Sequence, residues 1–125
     1  MLRVCAAGFD ETLDQVRAYG MAIIEAALAH GAVRVLCDER SLEYRLGVID
    51  TYRAAKTVAA SAPSVVRVAI VCHPACVEDA GFFENVAVNR GLTLRTFTDL
   101  AAATAWLTDD GCAPLAPGER SDAPA

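Results

Sequence analysis

Short apolar runs that contain an arginine recur along this chain and constrain its fold more than any other feature. The runs cover residues 2–5, 33–37, 66–72 and 92–97. Their arginines lie about 30 residues apart, which is the length that a strand and its crossover helix take together. The repeat therefore predicts an α/β fold of four consecutive βα units, with a mostly parallel four-stranded sheet and packed helices.

The segments between these runs carry apolar residues at helical spacing. Predicted helices cover about residues 10–30, 46–60, 74–89 and 99–107. Gly31 and Gly91 follow two of these helices, at the position where glycine commonly ends a helix. The polar cluster at residues 38–41 is expected to end the second strand, and Pro63 is expected to break the second helix.

Length and composition limit the class of protein. The 125-residue chain has 54% hydrophobic residues, which is enough for a single domain over residues 1–108. Residues 109–125 show no apolar periodicity and are expected to form a flexible acidic tail. Five cysteines without a signal peptide predict a reduced, cytoplasmic protein with no membrane insertion. The basic residues are scattered among acids, which argues against binding to nucleic acid.

Three segments of the chain resemble one superfamily. They are Phe83-Glu84-Asn85-Val86-Ala87-Val88-Asn89-Arg90-Gly91, Phe97-Thr98-Asp99 and Ala105-Trp106-Leu107. Over residues 1–108 the chain is similar to bacterial proteins of the STAS superfamily, which includes anti-sigma-factor antagonists, and to relatives that share a fold with lipid-binding SEC14 domains. The resemblance implies a STAS-like fold and a protein partner. A flavodoxin-like strand arrangement would fit the same string of elements.

The resemblance also implies where a regulatory serine would lie. In an anti-sigma-factor antagonist, the loop after the corresponding strand carries a phosphorylated serine at the start of the next helix. Residues 38–47 of this chain lack the expected Asp-Ser-Ser-Gly element, and Ser41 lies several residues too early. The chain is therefore expected to lack the usual phosphorylatable serine.

Polar residues expected at the carboxyl ends of the strands form the candidate site, because ligands of open parallel sheets bind at this edge. The residues predicted to line a ligand or partner rim are Asp10, Asp38, Glu39, Arg40, Cys72 and His73. Helix capping and solvation are the alternative explanation for the same residues. The sequence has no glycine-rich phosphate loop, no spacing typical of a catalytic triad and no paired metal-ligand motif. No catalytic residue, metal or cofactor is therefore assigned.

Aromatic residues in polar surroundings suggest an interface. Tyr44, Phe82 and Phe83 are candidates for contact with a partner or a second copy of the chain, because adjacent aromatics on a helix cannot share one core direction. The sequence favours a non-catalytic regulatory or protein-interaction module, with a homodimer as one arrangement. The alternatives are an enzyme with a thiol or carboxylate at the strand ends, and a binder of a small apolar ligand or lipid.

Overall fold

Strands and helices alternate along the chain in the computed structural model, which describes residues 1–62 and 66–109. The strands are β1 (Leu2–Asp10), β2 (Arg34–Tyr44), β3 (Arg67–Cys72) and β4 (Thr93–Phe97). The helices are α1 (Leu13–Ala29), α2 (Val48–Ser61), α3 (Val77–Asn89) and α4 (Leu100–Thr108), and a 3₁₀ turn at Pro74–Cys76 precedes α3. The predicted series of four βα units is confirmed.

The strands are all parallel and follow one another across the sheet in the order β1-β2-β3-β4. A flavodoxin-like sheet has a different order, in which the second strand of the chain lies at the edge. The flavodoxin-like alternative is therefore wrong. The observed order places β2 and β3 in the middle of the sheet, where both have a neighbour on each side.

The two faces of the sheet carry different helices. Side chains alternate along a strand, so Leu36 packs with Leu107 of α4, whereas its neighbour Val35 packs with Ala27 of α1. Helices α2 and α3 share the α1 face and pack over β3 and β4. The core is thus divided by the sheet into a face covered by α4 and a face covered by α1, α2 and α3.

The position of α1 is fixed at its start and at its middle. The Thr12 hydroxyl accepts a hydrogen bond from the backbone N–H of Gln15, and the Gln15 side chain accepts one from the backbone N–H of Thr12. This reciprocal capping box begins the helix. Further along, a Cβ atom added at Gly20 would lie 2.7 Å from Cγ2 of Val58. Glycine therefore allows α1 to lie close to α2.

The second strand is longer than the sequence predicts, because the polar cluster at residues 38–41 continues it. β1 and β2 stay paired over residues 7–10 and 41–44, a segment that we call the β1–β2 extension. β3 ends earlier, at Cys72, which is the register partner of Glu39. The expected loop is wrong because backbone pairing continues through this segment: Asp38 and Ser41 pair with β1 on either side of a register irregularity, and Glu39 pairs with Cys72 of β3.

Helix α4 is held to the sheet by Trp106 and Arg67. Trp106 packs against the core beneath α4, and its ring centroid lies 5.8 Å from that of Phe97. The Arg67 guanidinium donates to the backbone oxygens of Trp106 and Asp109, at 3.1 and 2.8 Å. These bonds satisfy carbonyl groups that a helix leaves without partners at its C-terminal end.

Two of the predictions fall outside the described residues. They are the break at Pro63 and, apart from Asp109, the acidic tail at residues 109–125. Within the part of the chain that is described, no helix has both the length and the apolar character needed to cross a membrane.

Candidate functional site

A cavity of ≈ 110 Å³ lies between the sheet and the layer formed by α1, α2 and α3. Its apolar wall includes Val35, Val68 and Ile70 from the sheet and Ile23, Val58 and Phe83 from the helices. An apolar wall of this kind offers dispersion contacts to a small hydrocarbon group.

The polar groups of the cavity come from the outer halves of the strands. Asp10 is the last residue of β1, and Tyr44 is the last residue of β2. Glu39 lies further back in β2, on the same side of the strand as Val35 and Cys37, so it also lines the cavity. The additional length of β1 and β2 therefore brings two carboxyl groups and a phenol to one apolar space.

Glu39 has a strongly perturbed carboxyl group. Burial raises its pKa to about 7, and the negative charges of Asp10 and Asp38 act in the same direction, whereas the nearby Tyr19 hydroxyl opposes the shift. The side chain keeps some accessible surface because it lines the cavity, although protein atoms surround it almost completely. Among the described residues, no cation pairs with Glu39. At neutral pH its carboxyl is divided between the protonated and charged forms.

Tyr19 of α1 completes the polar end of the cavity. Its hydroxyl oxygen is buried and has no partner of ordinary hydrogen-bond geometry among the described residues, yet it lies close enough to Glu39 to lower the pKa of that carboxyl. Asp10 is 8% exposed, and burial raises its pKa. Sequence reasoning missed Tyr19, although its helical spacing from Val16 and Ile23 places it on the apolar stripe of α1.

Asp38 and Arg40 lie on the other face of β2, so the structure does not bring them together with Glu39. The Arg40 guanidinium donates two hydrogen bonds of 2.8 Å to the Asp38 carboxylate, and Arg3 lies 3.7 Å from it. The hydrogen bonds from Arg40 hold the pKa of Asp38 at about 2. Successive side chains of a strand point to opposite faces, which separates this ion pair from the cavity.

Cys72 lines the cavity, whereas His73 does not. Cys72 ends β3 and is buried, and burial raises the pKa of its thiol. His73 is exposed, and its Nδ1 accepts a hydrogen bond of 3.0 Å from the backbone N–H of Ala75. That contact caps the 3₁₀ turn, in agreement with helix capping as the alternative role for this residue.

The aromatic candidates have three different surroundings. Tyr44 is half-buried, its hydroxyl oxygen lies 2.7 Å from Oγ1 of Thr51, and burial raises its pKa to about 12. Phe83 packs against the core beneath α2 and α3 and lines the cavity. Phe82 is half-buried and does not line the cavity. The structure therefore brings Tyr44 and Phe83 to the cavity and leaves Phe82 apart from it.

Exposed apolar side chains lie at the same end of the sheet as the polar groups. Phe9 precedes the last residue of β1 and is 53% exposed, with the Arg45 guanidinium carbon 3.9 Å from its ring centroid. Val48 and Ile49 begin α2, and Val77 begins α3. All of these apolar residues are exposed and lie at, or shortly after, the carboxyl end of a strand.

The site is suited to binding and to proton exchange near neutral pH. It combines an apolar wall with carboxyl, phenol and thiol groups at one end. Within residues 1–62 and 66–109, no group of three or more His, Cys, Asp or Glu side chains is arranged to hold a metal ion. The polar end can accept hydrogen bonds and can pair with a positive charge.

The strand order and the space between sheet and helices define a parallel βα domain with an internal cavity. A family model described as SpoIIAA-like matches residues 6–108. The chain therefore belongs to the SpoIIAA-like family, which has the STAS fold of anti-sigma-factor antagonists, and the resemblance to the STAS superfamily is confirmed. Searches of curated proteins and of solved structures found no match.

Proposed function

We propose that this protein is a STAS-type regulatory module that binds a small, largely apolar molecule in the cavity between the sheet and helices α1–α3. The cavity itself carries the proposal. Protein interiors are close-packed and contain few voids larger than a water molecule. A space of ≈ 110 Å³ with an apolar wall loses dispersion contacts that a ligand would restore.

The surroundings of the cavity support a regulatory role for its occupancy. Tyr44 lines the cavity, and its hydroxyl contacts Thr51 in α2. The exposed residues Val48 and Ile49 lie in the preceding turn of the same helix. A ligand that displaces Tyr44 would shift the start of α2 and with it this exposed apolar surface. Ligand binding would then change the relative populations of two states of the surface.

Xenon tests the proposed binding, because it enters small apolar cavities without needing hydrogen bonds. NMR spectra recorded under xenon pressure should show shift changes at residues that line the cavity. Ala80→Leu adds a side chain to the lining from α3 and should abolish these changes. Ala102→Leu makes the same substitution at an exposed position of α4 and should leave them intact. Absence of any xenon response from the lining residues of the wild type would contradict the proposal.

Association with a protein is a second candidate function, which the exposed apolar residues of α2 favour. Val48 and Ile49 are 68% and 67% exposed, and adjacent exposed aliphatic side chains are typical of contact surfaces. A second copy of the chain is the partner to test first. Sedimentation should show self-association that Ile49→Asp weakens and that Val88→Asp, at another exposed position, does not. A wild type that stays monomeric at high concentration would contradict a homodimer. An interface at Phe82 stays a prediction.

A further inference from the structure

The cavity contains acids and no base. The titratable groups that line the cavity with Glu39 are Asp10 on β1, Tyr19 on α1, Cys37 and Tyr44 on β2, Cys72 on β3, Cys76 before α3 and Asp79 on α3, whereas α2 and β4 contribute none. Among the described residues that line the cavity, none is a lysine, an arginine or a histidine. The electrostatic character of this space is therefore negative whenever its carboxyl groups ionise.

The arginines near the site are bound elsewhere. Arg45 follows β2, and its guanidinium donates to the carboxylates of Glu11 and Glu43, at 2.7 Å in each case. Arg40 lies on the opposite face of β2 in its ion pair with Asp38. Neither guanidinium compensates the charge that a buried carboxyl of the cavity acquires on ionisation.

A buried carboxylate without a cation is costly, and a positively charged ligand would remove that cost. An anionic ligand would be repelled by both carboxylates, and a hydrocarbon would leave them unpaired. A primary ammonium group has three N–H donors, which matches the two carboxyls and the buried hydroxyl oxygen of Tyr19 as acceptors. The number of acceptor groups and the negative charge of the carboxylates therefore favour a ligand with a positively charged head group.

We infer that the cavity binds a short primary alkylamine in its protonated form, with the ammonium group held by Glu39 and Asp10 and the hydrocarbon chain against the apolar wall. The inference rests on the proposed ligand-binding function and adds the chemical class of the ligand. The volume sets the chain length. An engineered apolar cavity of about 150 Å³ holds benzene, so the ≈ 110 Å³ of this cavity suits roughly four carbon atoms.

Three compounds with the same chain length test the charge of the head. NMR titrations at pH 8.5 with n-butylamine, 1-butanol and butyrate present the wild type with a positive, a neutral and a negative head on comparable hydrocarbon chains. We expect the amine to bind at least about tenfold more tightly than the alcohol, because a charge-assisted hydrogen bond is the stronger kind, and butyrate to bind least. Lowering the pH to 5.5 should remove most of the amine's advantage, because Glu39 is then protonated.

Matched variants assign the preference to the cavity. Glu39→Gln keeps the shape of the side chain and should bring the affinities for n-butylamine and 1-butanol to within about twofold of each other. Glu43→Gln removes an exposed carboxyl of the same strand and should keep the preference for the amine. Asp10→Asn should reduce it and serves in place of Glu39→Gln if that variant does not fold.

The outcomes separate this inference from the proposed function. Equal binding of amine and alcohol to the wild type, or tighter binding of butyrate, would overturn the inference and leave the ligand cavity in place. A response to xenon without binding of the amine would do the same. If neither xenon nor any of the three four-carbon compounds bound, both the inference and the proposed ligand-binding function would be overturned. An amine preference that survives Glu39→Gln would show that the head lies elsewhere.

Discussion

Asp38 and Glu39 are neighbours in sequence, yet the pKa values of their carboxyl groups are shifted in opposite directions. Hydrogen bonds from Arg40 hold the pKa of Asp38 at about 2, whereas burial raises the pKa of Glu39 to about 7. The strand places the first side chain in an ion pair at the surface and the second in the cavity. Their contributions to stability therefore depend on different pH ranges, below pH 4 for Asp38 and above it for Glu39.

The raised pKa of Glu39 predicts a loss of stability as the pH rises. Its ordinary value is 4.5, so between pH 4.5 and about 7 the folded protein holds a proton that the unfolded chain has released. The contribution of Glu39 to the free energy of unfolding falls across that range by on the order of 3 kcal/mol and then levels off. Glu39→Gln should remove this fall and should raise the free energy of unfolding at pH 8 by about 1–3 kcal/mol. Urea unfolding at pH 5 and pH 8 measures both effects.

The control for this prediction is Glu43→Gln. Glu43 is exposed at the end of the same strand, so its substitution should change the free energy of unfolding by less than about 0.5 kcal/mol at either pH. A Glu39→Gln variant with the same stability difference from the wild type at pH 5 and pH 8 would contradict the assignment. That result would mean that Glu39 titrates alike in the folded and unfolded chains.

The reactivity of single thiols tests the enzyme alternative. Burial raises the pKa of the Cys37 and Cys72 thiols, so little of the reactive thiolate forms at pH 7.5. Cys5 is exposed. Under limiting iodoacetamide we expect Cys5 to be alkylated at least about tenfold faster than Cys72, as measured by mass spectrometry of peptides. The Cys5→Ser variant is the control, because its peptide should show no alkylation at position 5. Faster alkylation of Cys72 than of Cys5 would favour a thiol-based active site.

At the scale of elements, the spacing between α1 and α2 depends on one missing side chain. A Cβ at Gly20 would meet Cγ2 of Val58 at 2.7 Å. Gly20→Ala should therefore lower the free energy of unfolding by about 1–2 kcal/mol, because the helices must separate. In a Val58→Ala background the same substitution should raise it by about 0.5–1 kcal/mol, since alanine is then the better helix former without a clash. Thermal or urea unfolding of the four proteins measures the change of sign. A loss of stability in both backgrounds would contradict this packing.

Strands and helices could be predicted from the sequence where the pattern of side chains determines them. They could not be predicted where backbone pairing determines them. Apolar spacing locates α1 and α4, and the continuous apolar runs locate the inner parts of the strands. The outer half of β2 has no such pattern, because backbone pairing with β1 and, at Glu39, with β3 continues the strand through residues 38–41. That difference decides the site. A loop would have left Asp38 and Glu39 together at a solvated rim, whereas the strand sends only Glu39 into the cavity.

For the whole molecule, the strand order should make the protection of backbone amides from hydrogen exchange unequal across the sheet. β3 lies between β2 and β4 and is covered by helices on both faces, and Ala69 and Val71 have no exposed surface. Within residues 1–62 and 66–109, no third strand pairs with the β1–β2 extension, since β3 ends opposite Glu39. Elements with many buried contacts open only with much of the fold, whereas edges open locally. The cavity therefore lies where the most protected strand meets a segment that we expect to open locally.

Native-state hydrogen exchange measures that difference. We expect the amides of Ala69 and Val71 to exchange slowest, and those of Ala7 and Phe9 in the extension to exchange at least about 100-fold faster after correction for intrinsic rates. A cavity ligand should slow exchange in the extension more than in β3, because Asp10 and Tyr44 line the binding space from the extension. Equal protection of both segments would mean that the extension opens only with the whole sheet, and entry of a ligand would then require global unfolding.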